Sequence, residues 1–327
     1  MRQLKIVAIR KKIVLFIYRL SPDLLKLIKR ILFFKRSSSA PIKNPQWSIG
    51  IYVGQSPVKF WADQNFKNPA IDRQDILDVR AEFVADPFMV KVEETWYMFF
   101  EVYNQESSKG EIGLAVSRDT VNWDYQQIVM TEEFHLSYPY IFVWMNEYYM
   151  IPESGEAKSI RLYKASKFPT HWSFVGNLLS DLVFLDSSIF RYENRWWLFT
   201  ETSPDSKSDT LRLYYADELM GPWIEHPKSP IIQGNPHIAR PAGRVLVMND
   251  RIIRYTQDCY PFYGIQVRAF EITELTPTSY QEREVEGRSV LTASQTGFGW
   301  NACGMHHIDP HPNEDGTWIA CVDGWSE

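Results

Sequence analysis

The sequence predicts an all-β protein, a five-bladed β-propeller preceded by a basic helical extension. Three observations predict it: a strand-turn-strand unit that recurs five times, a second unit that follows the early copies, and a stray copy of that second unit at the front of the body. Composition agrees. Of 327 residues, 45% are hydrophobic and 15% aromatic, with 12 Trp and 17 Tyr, a mixture suited to pleated strands packed through flat rings.

The first unit reads ADPFMVKVEETWYMFFE at 85–101, SYPYIFVWMNEYYMIPE at 137–153 and LDSSIFRYENRWWLFTE at 185–201. Each is an apolar strand, a polar turn, and an aromatic pair opening a second strand that ends in Glu. ARPAGRVLVMNDRIIRYTQ (239–257) is a copy with weaker aromatics, and GMHHIDPHPNEDGTWIACVDG (304–324) is a fifth, with Asp-Gly for its turn. The second unit appears as IGLAVSRDTVNW (112–123), IRLYKASKFPTHW (160–172) and LRLYYADELMGPW (211–223), and more loosely at 264–280. First units start near 86, 138, 186, 240 and 306, at spacings of 52, 48, 54 and 66 residues, close to one four-stranded blade. The fifth copy has no second unit after it. WSIGIYVGQSPVKFW (47–61) supplies one from the front, so the first strands of the body are expected to complete the last blade and remove an exposed sheet edge.

The extension is a different object. Residues 1–36 hold 11 of the 35 Lys and Arg but one of the 40 acids, Asp23, giving the segment a net charge of +10 against -15 for the remainder. Ser21, Pro22 and Asp23 form a helix start. Leu24, Leu25, Leu27, Ile28, Ile31 and Leu32 then recur at helical spacing among basic residues. Such a helix could lie on an anionic membrane surface or pack on a partner. The apolar run Ile13 to Tyr18 is too short to span a bilayer and has no small-residue cleavage site after it. Residues 37–46 read as a linker and 47–327 as the propeller. Three cysteines without close pairing point to a reducing compartment, so a cytoplasmic location, membrane-associated at the inner surface through residues 1–36, is expected. The acidic body argues against nucleic acid, and phosphate-binding glycine loops, GxSxG and HExxH are absent.

In a propeller the innermost strands line a central channel, so equivalent positions of all blades meet at one mouth. The heads of the first strands are Asp86, Tyr138, Asp186, Arg240 and His306 with His307, five unlike polar positions in one ring. Glu101, Glu153 and Glu201 end the second strands and return towards the same mouth.

The repeat pattern, the ADPF and LDSSIF heads and the trailing strands closed by Trp resemble the five-bladed propellers of the furanosidase superfamily, which includes glycoside hydrolase families 43, 32 and 68. In particular, residues 47–325 resemble a propeller domain fused to formyltransferase-like domains in bacteria and to a plant glycosyltransferase that modifies inositolphosphorylceramide. The resemblance implies roles position by position. Asp86 matches the general base of family 43 hydrolases and Asp186 the aspartate that orients and tunes its partner, but Arg240 falls where the general acid should be. It also implies that His306 or His307 sits in the channel, where relatives hold a calcium or sodium ion. CGMHHIDPH (303–311) by itself fits no standard zinc spacing, and no dedicated metal or cofactor is expected.

The departure at Arg240 matters because inverting glycosidases need one protonated carboxyl beside a second, ionised one. Arginine stays charged at any useful pH and cannot donate that proton. Glu153 and Glu201, in PES and TETS contexts, are the leading substitutes, ahead of Glu101; among Trp and Tyr a carboxyl could gain the raised pKa an acid needs. The alternative is that these glutamates hold loops in place. Arg240, with Arg244 four residues on, suits an anionic or phosphorylated sugar, unless it is paired with Asp86 or Asp186. Two functions stay open: a glycosidase-like carbohydrate-active domain, or a non-catalytic domain that recognises a saccharide or glycoconjugate beside a sugar-modifying enzyme. Survival of both aspartates favours the first, and loss of the acid the second.

Overall fold

The computed structural model describes residues 45–203, 207–248, 251–285 and 289–327; the basic segment 1–36 and linker residues 37–44 lie outside the described residues. Strands β1 (Gln46–Ser56) and β2 (Lys59–Trp61) come first. Blade one follows with β3 (Ala81–Val92), β4 (Thr95–Asn104), β5 (Lys109–Ser117) and β6 (Asp124–Met130). Blade two is β7 (Ser137–Trp144), β8 (Glu147–Glu153), β9 (Ser159–Lys167) and β10 (His171–Ser180). Blade three is β11 (Leu185–Tyr192), β12 (Arg195–Glu201), β13 (Leu211–Ala216) and β14 (Ile224–Glu225). Blade four holds β15 (Leu246–Met248), β16 (Arg251–Asp258), β17 (Gln266–Leu275) and β18 (Tyr280–Glu284), with β19 (Leu291–Thr292) added against β17. Blade five takes β20 (Ile308–Pro312) and β21 (Trp318–Ser326) and is completed by β1 and then β2. The all-β, five-bladed propeller read from the repeats is therefore the observed fold.

Closure is extensive. β1 pairs antiparallel with β21 from Gln46 opposite Ser326 to Gly54 opposite Trp318, so the last blade owes half its strands to the front of the body. Hairpin turns at Met145-Asn146 and Glu193-Asn194 have positive φ at both residues, the geometry that follows the natural twist of paired strands.

The aromatic surplus has two uses. Rings join neighbouring blades edge to face: Phe99 meets Trp172 at 5.5 Å and Tyr97 meets Phe168 at 4.9 Å between blades one and two, while Trp144 meets Trp196 at 5.2 Å between two and three. The tryptophans that close the second unit also repeat one local device. Trp123, Trp172 and Trp223 donate their indole N–H to the carbonyls of Thr120, Pro169 and Leu219 at 2.9, 3.0 and 3.1 Å, which satisfies a polar group on an otherwise apolar ring.

The strand heads share a backbone device that brings function into view. Pairing shifts register between Ala85 and Phe88, Ser137 and Tyr140, and Leu185 and Ser188. Within each bulge one residue turns left-handed: Asp86 at φ 52°, Tyr138 at 45° and Asp186 at 47°. Such bulges bend a strand and re-aim a side chain, and here they act at the same place in three blades. Blades four and five instead meet directly, where Gly243 bridges Ile308 and the Ile308 amide donates to the Ala242 carbonyl at 2.8 Å. A Cβ on Gly243, at φ 137°, would lie 1.8 Å from the Ile308 carbonyl oxygen, so this approach requires glycine.

Ile51 tests the closure, being fully buried on β1 opposite Cys321. Ile51→Ala is expected to lower unfolding free energy by about 2–5 kcal/mol in urea titrations; a change below about 1 kcal/mol would show that this strand adds little to the ring.

Candidate active site at the channel mouth

Equivalent positions at or near the ends of the second strands of all five blades are occupied by Glu101, Glu153, Glu201, Gln257 and Asp323. The first three lie opposite Ala85, Ser137 and Leu185. Two of the five reach across to the next blade. Asp323 accepts the amide of Asp86 at 3.0 Å, and Glu153 accepts the amide of Asp186 at 3.2 Å. Each bond ties a left-handed strand head to the blade before it.

Arg240 stands between Glu153 and the strand head Asp186. Its Nε donates to Asp186 at 2.6 Å and its Nη2 to Glu153 at 3.4 Å, while the guanidinium lies 5.1 Å over the Tyr263 ring. Gln257 donates to the same Asp186 oxygen from below. Burial works to raise Asp186, but Arg240 outweighs it and holds this carboxyl below its ordinary value. Glu153 goes the other way: burial and the Asp186 charge push it up to about 8 against the pull of Arg240. The two carboxyls thus share one cation with the negative charge settled on Asp186.

Asp86 faces them from blade one. Its Oδ1 is buried without a hydrogen bond, 3.7 Å from both His306 Nε2 and His307 Nδ1. Burial, then the charges of Asp186, Asp323, Glu101 and Glu153, raise its carboxyl well above the usual range. His306 is oriented by Asp323, which accepts from its Nδ1 at 2.7 Å, and by Trp47, stacked on it at 4.1 Å. Asp86, Glu101, Glu153, Arg240, His306, His135, Trp47 and Tyr263 line one cavity of about 210 Å³. Asp186 lies just beneath, in contact with Arg240.

Outside the cavity lining, further residues of the ring are buried and tied across blades. The Tyr138 hydroxyl takes the Gly243 amide at 2.6 Å and meets Ser188 at 2.9 Å, knitting blades two, three and four together. His307 is fully buried between the edges of Phe88 and Tyr138, and burial pushes it down to about 4, a neutral imidazole. Arg244 donates to Asp309 at 2.7 Å and to the carbonyls of Ile141 and Met89. Although burial opposes it, this pairing holds Asp309 far below the usual carboxylate range. Tyr138, His307 and Arg244 therefore belong to the ring but do not line the cavity. Glu201 is turned aside. Fully buried, it accepts the Ser203 amide at 2.7 Å and the Thr210 amide at 3.4 Å in its own blade.

The channel ion implied by the resemblance can be tested on these donors. Asp86, His306 and Asp323 offer one ligand atom each within 4.8 Å. Calcium takes six to eight oxygens, and Asp323 already accepts the amides of Asp86, His306 and His307 as well as the His306 ring. The set does not fit calcium and functions as a hydrogen-bonded network. A larger groove, about 1060 Å³, runs on the flank between blades four and five past Trp61, Trp300 and Arg268, and among the described residues that line it Glu284 is the single carboxyl.

Several residues here escaped the reading from sequence. Gln257 and Asp323 carried a signal, because they occupy the repeat position of Glu101, Glu153 and Glu201. Trp47 enters from the strand that completes blade five, and His135 and Tyr263 from connecting segments, with no counterpart in the other repeats to mark them.

A closed five-bladed ring with carboxyls converging at one mouth defines a glycoside-hydrolase-like propeller. A thermostable family 43 glycoside hydrolase superposes with a TM-score of 0.55 at 14% identity, over 80% of this chain and 91% of that one. Residues 40–325 match the family described as glucosamine inositolphosphorylceramide transferase 1, N-terminal, and the chain belongs to that family. It is 33% identical over 300 residues to glucosamine inositolphosphorylceramide transferase 1 of Oryza sativa subsp. japonica, and 33% over 298 residues to that of Arabidopsis thaliana. Each match covers 85% of this chain but 40% and 39% of the plant proteins, so the chain spans about two fifths of the relatives' length.

Arg240→Met would leave Asp186 and Glu153 buried without their shared cation. At pH 7 the variant is expected to lose about 3–5 kcal/mol of stability. The Asp186 contribution is present above its unfolded pKa and lost as pH falls through the lower folded one. Acidification should therefore narrow the gap between variant and wild type in denaturation curves taken from about pH 5 down to about pH 2, the window set by an unfolded pKa near 4 and a lower folded one; a gap constant across that window would refute the pairing as drawn.

Proposed function

We propose that the mouth cavity binds a single saccharide ring, as the recognition site of a glycosidase-like carbohydrate-active propeller. The observation that carries this reading is the convergence of Asp86, Glu101, Glu153 and Arg240 with Trp47 and Tyr263 on about 210 Å³, a space below the roughly 300–1,000 Å³ of drug-sized sites. Hydrogen-bonding groups beside flat rings suit a sugar, which has hydroxyls at its edge and C–H groups on its faces.

The charge balance modifies what Arg240 suggested. Its guanidinium is already held by Asp186 and Glu153, so little positive charge faces the cavity. A neutral or amino sugar fits better than a uronic or phosphorylated one. The name of the plant relatives couples glucosamine with inositolphosphorylceramide, which agrees with a glycoconjugate ligand. Because the family match covers about two fifths of those proteins, the propeller is read as presenting its ligand to a sugar-modifying enzyme, at an anionic membrane surface if the basic segment makes that contact.

A second reading has its own observation. Asp86 is a buried carboxyl held above the usual range by burial and by the charges of Asp186 and Asp323, the direction that glycoside cleavage requires of its acid. With Arg240 in place of the family's acid, this reading needs Asp86 to serve as donor.

Calorimetry and saturation-transfer NMR with glucosamine, N-acetylglucosamine, glucuronate and glucose 1-phosphate separate these outcomes. Neutral and amino sugars should bind, and Asp86→Asn should weaken them about tenfold, the loss of one hydrogen bond to a buried group. Tighter binding of the anionic sugars, or of none, would defeat the reading. Cleavage of an aryl glycoside by wild type and not by Asp86→Asn would add chemistry to recognition.

A further inference from the structure

Of the five side chains at or near the ends of the second strands, four are committed to the scaffold. Asp323 and Glu153 hold the amides of Asp86 and Asp186, Gln257 holds Asp186 and the Pro241 carbonyl, and Glu201 holds Ser203 and Thr210. Glu101 has no such task. It is buried on the cavity wall, its Oε1 meets no hydrogen-bond partner, and the charged side chain beside it is His135, whose Nε2 lies 3.3 Å from that oxygen.

The histidine is aimed at it. The Gly110 amide donates to His135 Nδ1 at 2.9 Å, which puts the proton of the neutral ring on Nε2, facing Glu101. Glu156 accepts the His135 backbone amide at 3.1 Å and fixes the loop that carries it. Space for the pair depends on a missing side chain: a Cβ on Gly110 would lie 2.8 Å from Glu101 Oε1, 2.9 Å from His135 Cε1 and 2.3 Å from the Leu136 carbonyl oxygen. A strand-end carboxylate, a loop histidine and a glycine niche thus converge where neither interblade stapling nor loop support uses the carboxylate.

We infer that Glu101 is the carboxylate that grips the sugar in the mouth cavity, and that His135 is the positioning residue that holds it in place. This rests on the saccharide reading above. A carboxylate accepts hydrogen bonds from hydroxyls or an ammonium group more strongly than a neutral acceptor does. Burial tends to lower His135, but contact with Glu101, followed by Glu153 and Glu156, leaves it above its ordinary value. The ion pair is therefore present below the folded pKa of His135 and lost as pH rises through it, so grip should slacken on the alkaline side. Asp86 also acts on the site electrostatically, through its own interaction with Glu101.

Calorimetry on the full chain with glucosamine and N-acetylglucosamine from pH 5.5 to 8.5 tests this. Glu101→Gln should bind at least about tenfold more weakly, the loss of a charge-assisted contact, and Glu101→Asp, which keeps the charge on a shorter arm, should fall between. His135→Gln, able to donate to Glu101 but not to titrate, should bind N-acetylglucosamine within about threefold of wild type at pH 8.5 and show a smaller pH step, what remains belonging to Glu153. Wild-type affinity in Glu101→Gln, with sugar binding intact in the parent, would overturn the role of Glu101. A pH step undiminished in His135→Gln, read with N-acetylglucosamine, whose amide does not titrate, would overturn that of His135. If the parent binds neither sugar, the saccharide reading itself falls and this one with it.

Discussion

The bond on which the mouth depends is a carboxylate at or near the end of one blade's second strand accepting the backbone amide of the next blade's left-handed strand head. Asp323 does this for Asp86 and Glu153 for Asp186. A non-glycine residue at positive φ is costly and persists where its surroundings over-determine it. The carboxylate supplies that determination, and the bulge it stabilises turns each aspartate towards the axis. Blade assembly and site geometry are consequently one construction. A change that loosened the ring at this level would also misdirect the side chains gathered there.

Charge is arranged in layers along the axis. At the top, Arg240 shares itself between Asp186 and Glu153, leaving Asp86 and Glu101 without a guanidinium of their own. At the bottom, Arg244 and Asp309 form a second pair whose spare donors take the carbonyls of two other blades. Buried pairs of this kind are modest contributors to net stability, but removing one partner is severe. The lower pair and the Tyr138 cluster tie the blades to one another beside the cavity without lining it.

The ring was legible because blades repeat, and repetition shows even where each copy is weak. The aromatic pairs and the detached half-blade at 47–61 fell where the strands are, and of the closing tryptophans Trp172 lies in a strand while Trp123 and Trp223 immediately precede one. Asp86, Asp186 and Arg240 could be placed around one axis for the same reason. Which carboxylate faces open space could not be read this way. Glu101, Glu153 and Glu201 look alike in sequence, yet Glu201 turns to Ser203 and Thr210 within its own blade, whereas Glu153 crosses to a neighbour. That choice is set by connecting segments, and Trp47, His135 and Tyr263 arrive from such segments or from the ring's closing strand. The pairing of Arg240 with two acids likewise depends on distances that sequence order does not contain.

The register of the closing strands has an architectural outcome. Gln46 sits directly opposite Ser326, about 5 Å away across the sheet, and their neighbours Trp47 and Trp325 pack with ring centres 6.1 Å apart. Polypeptide entering the propeller and polypeptide leaving it therefore share one doorway, and Trp47 forms part of the cavity wall just inside. Whatever module a homologue appends at either end begins its path beside this cavity, without any long connecting arm between the two.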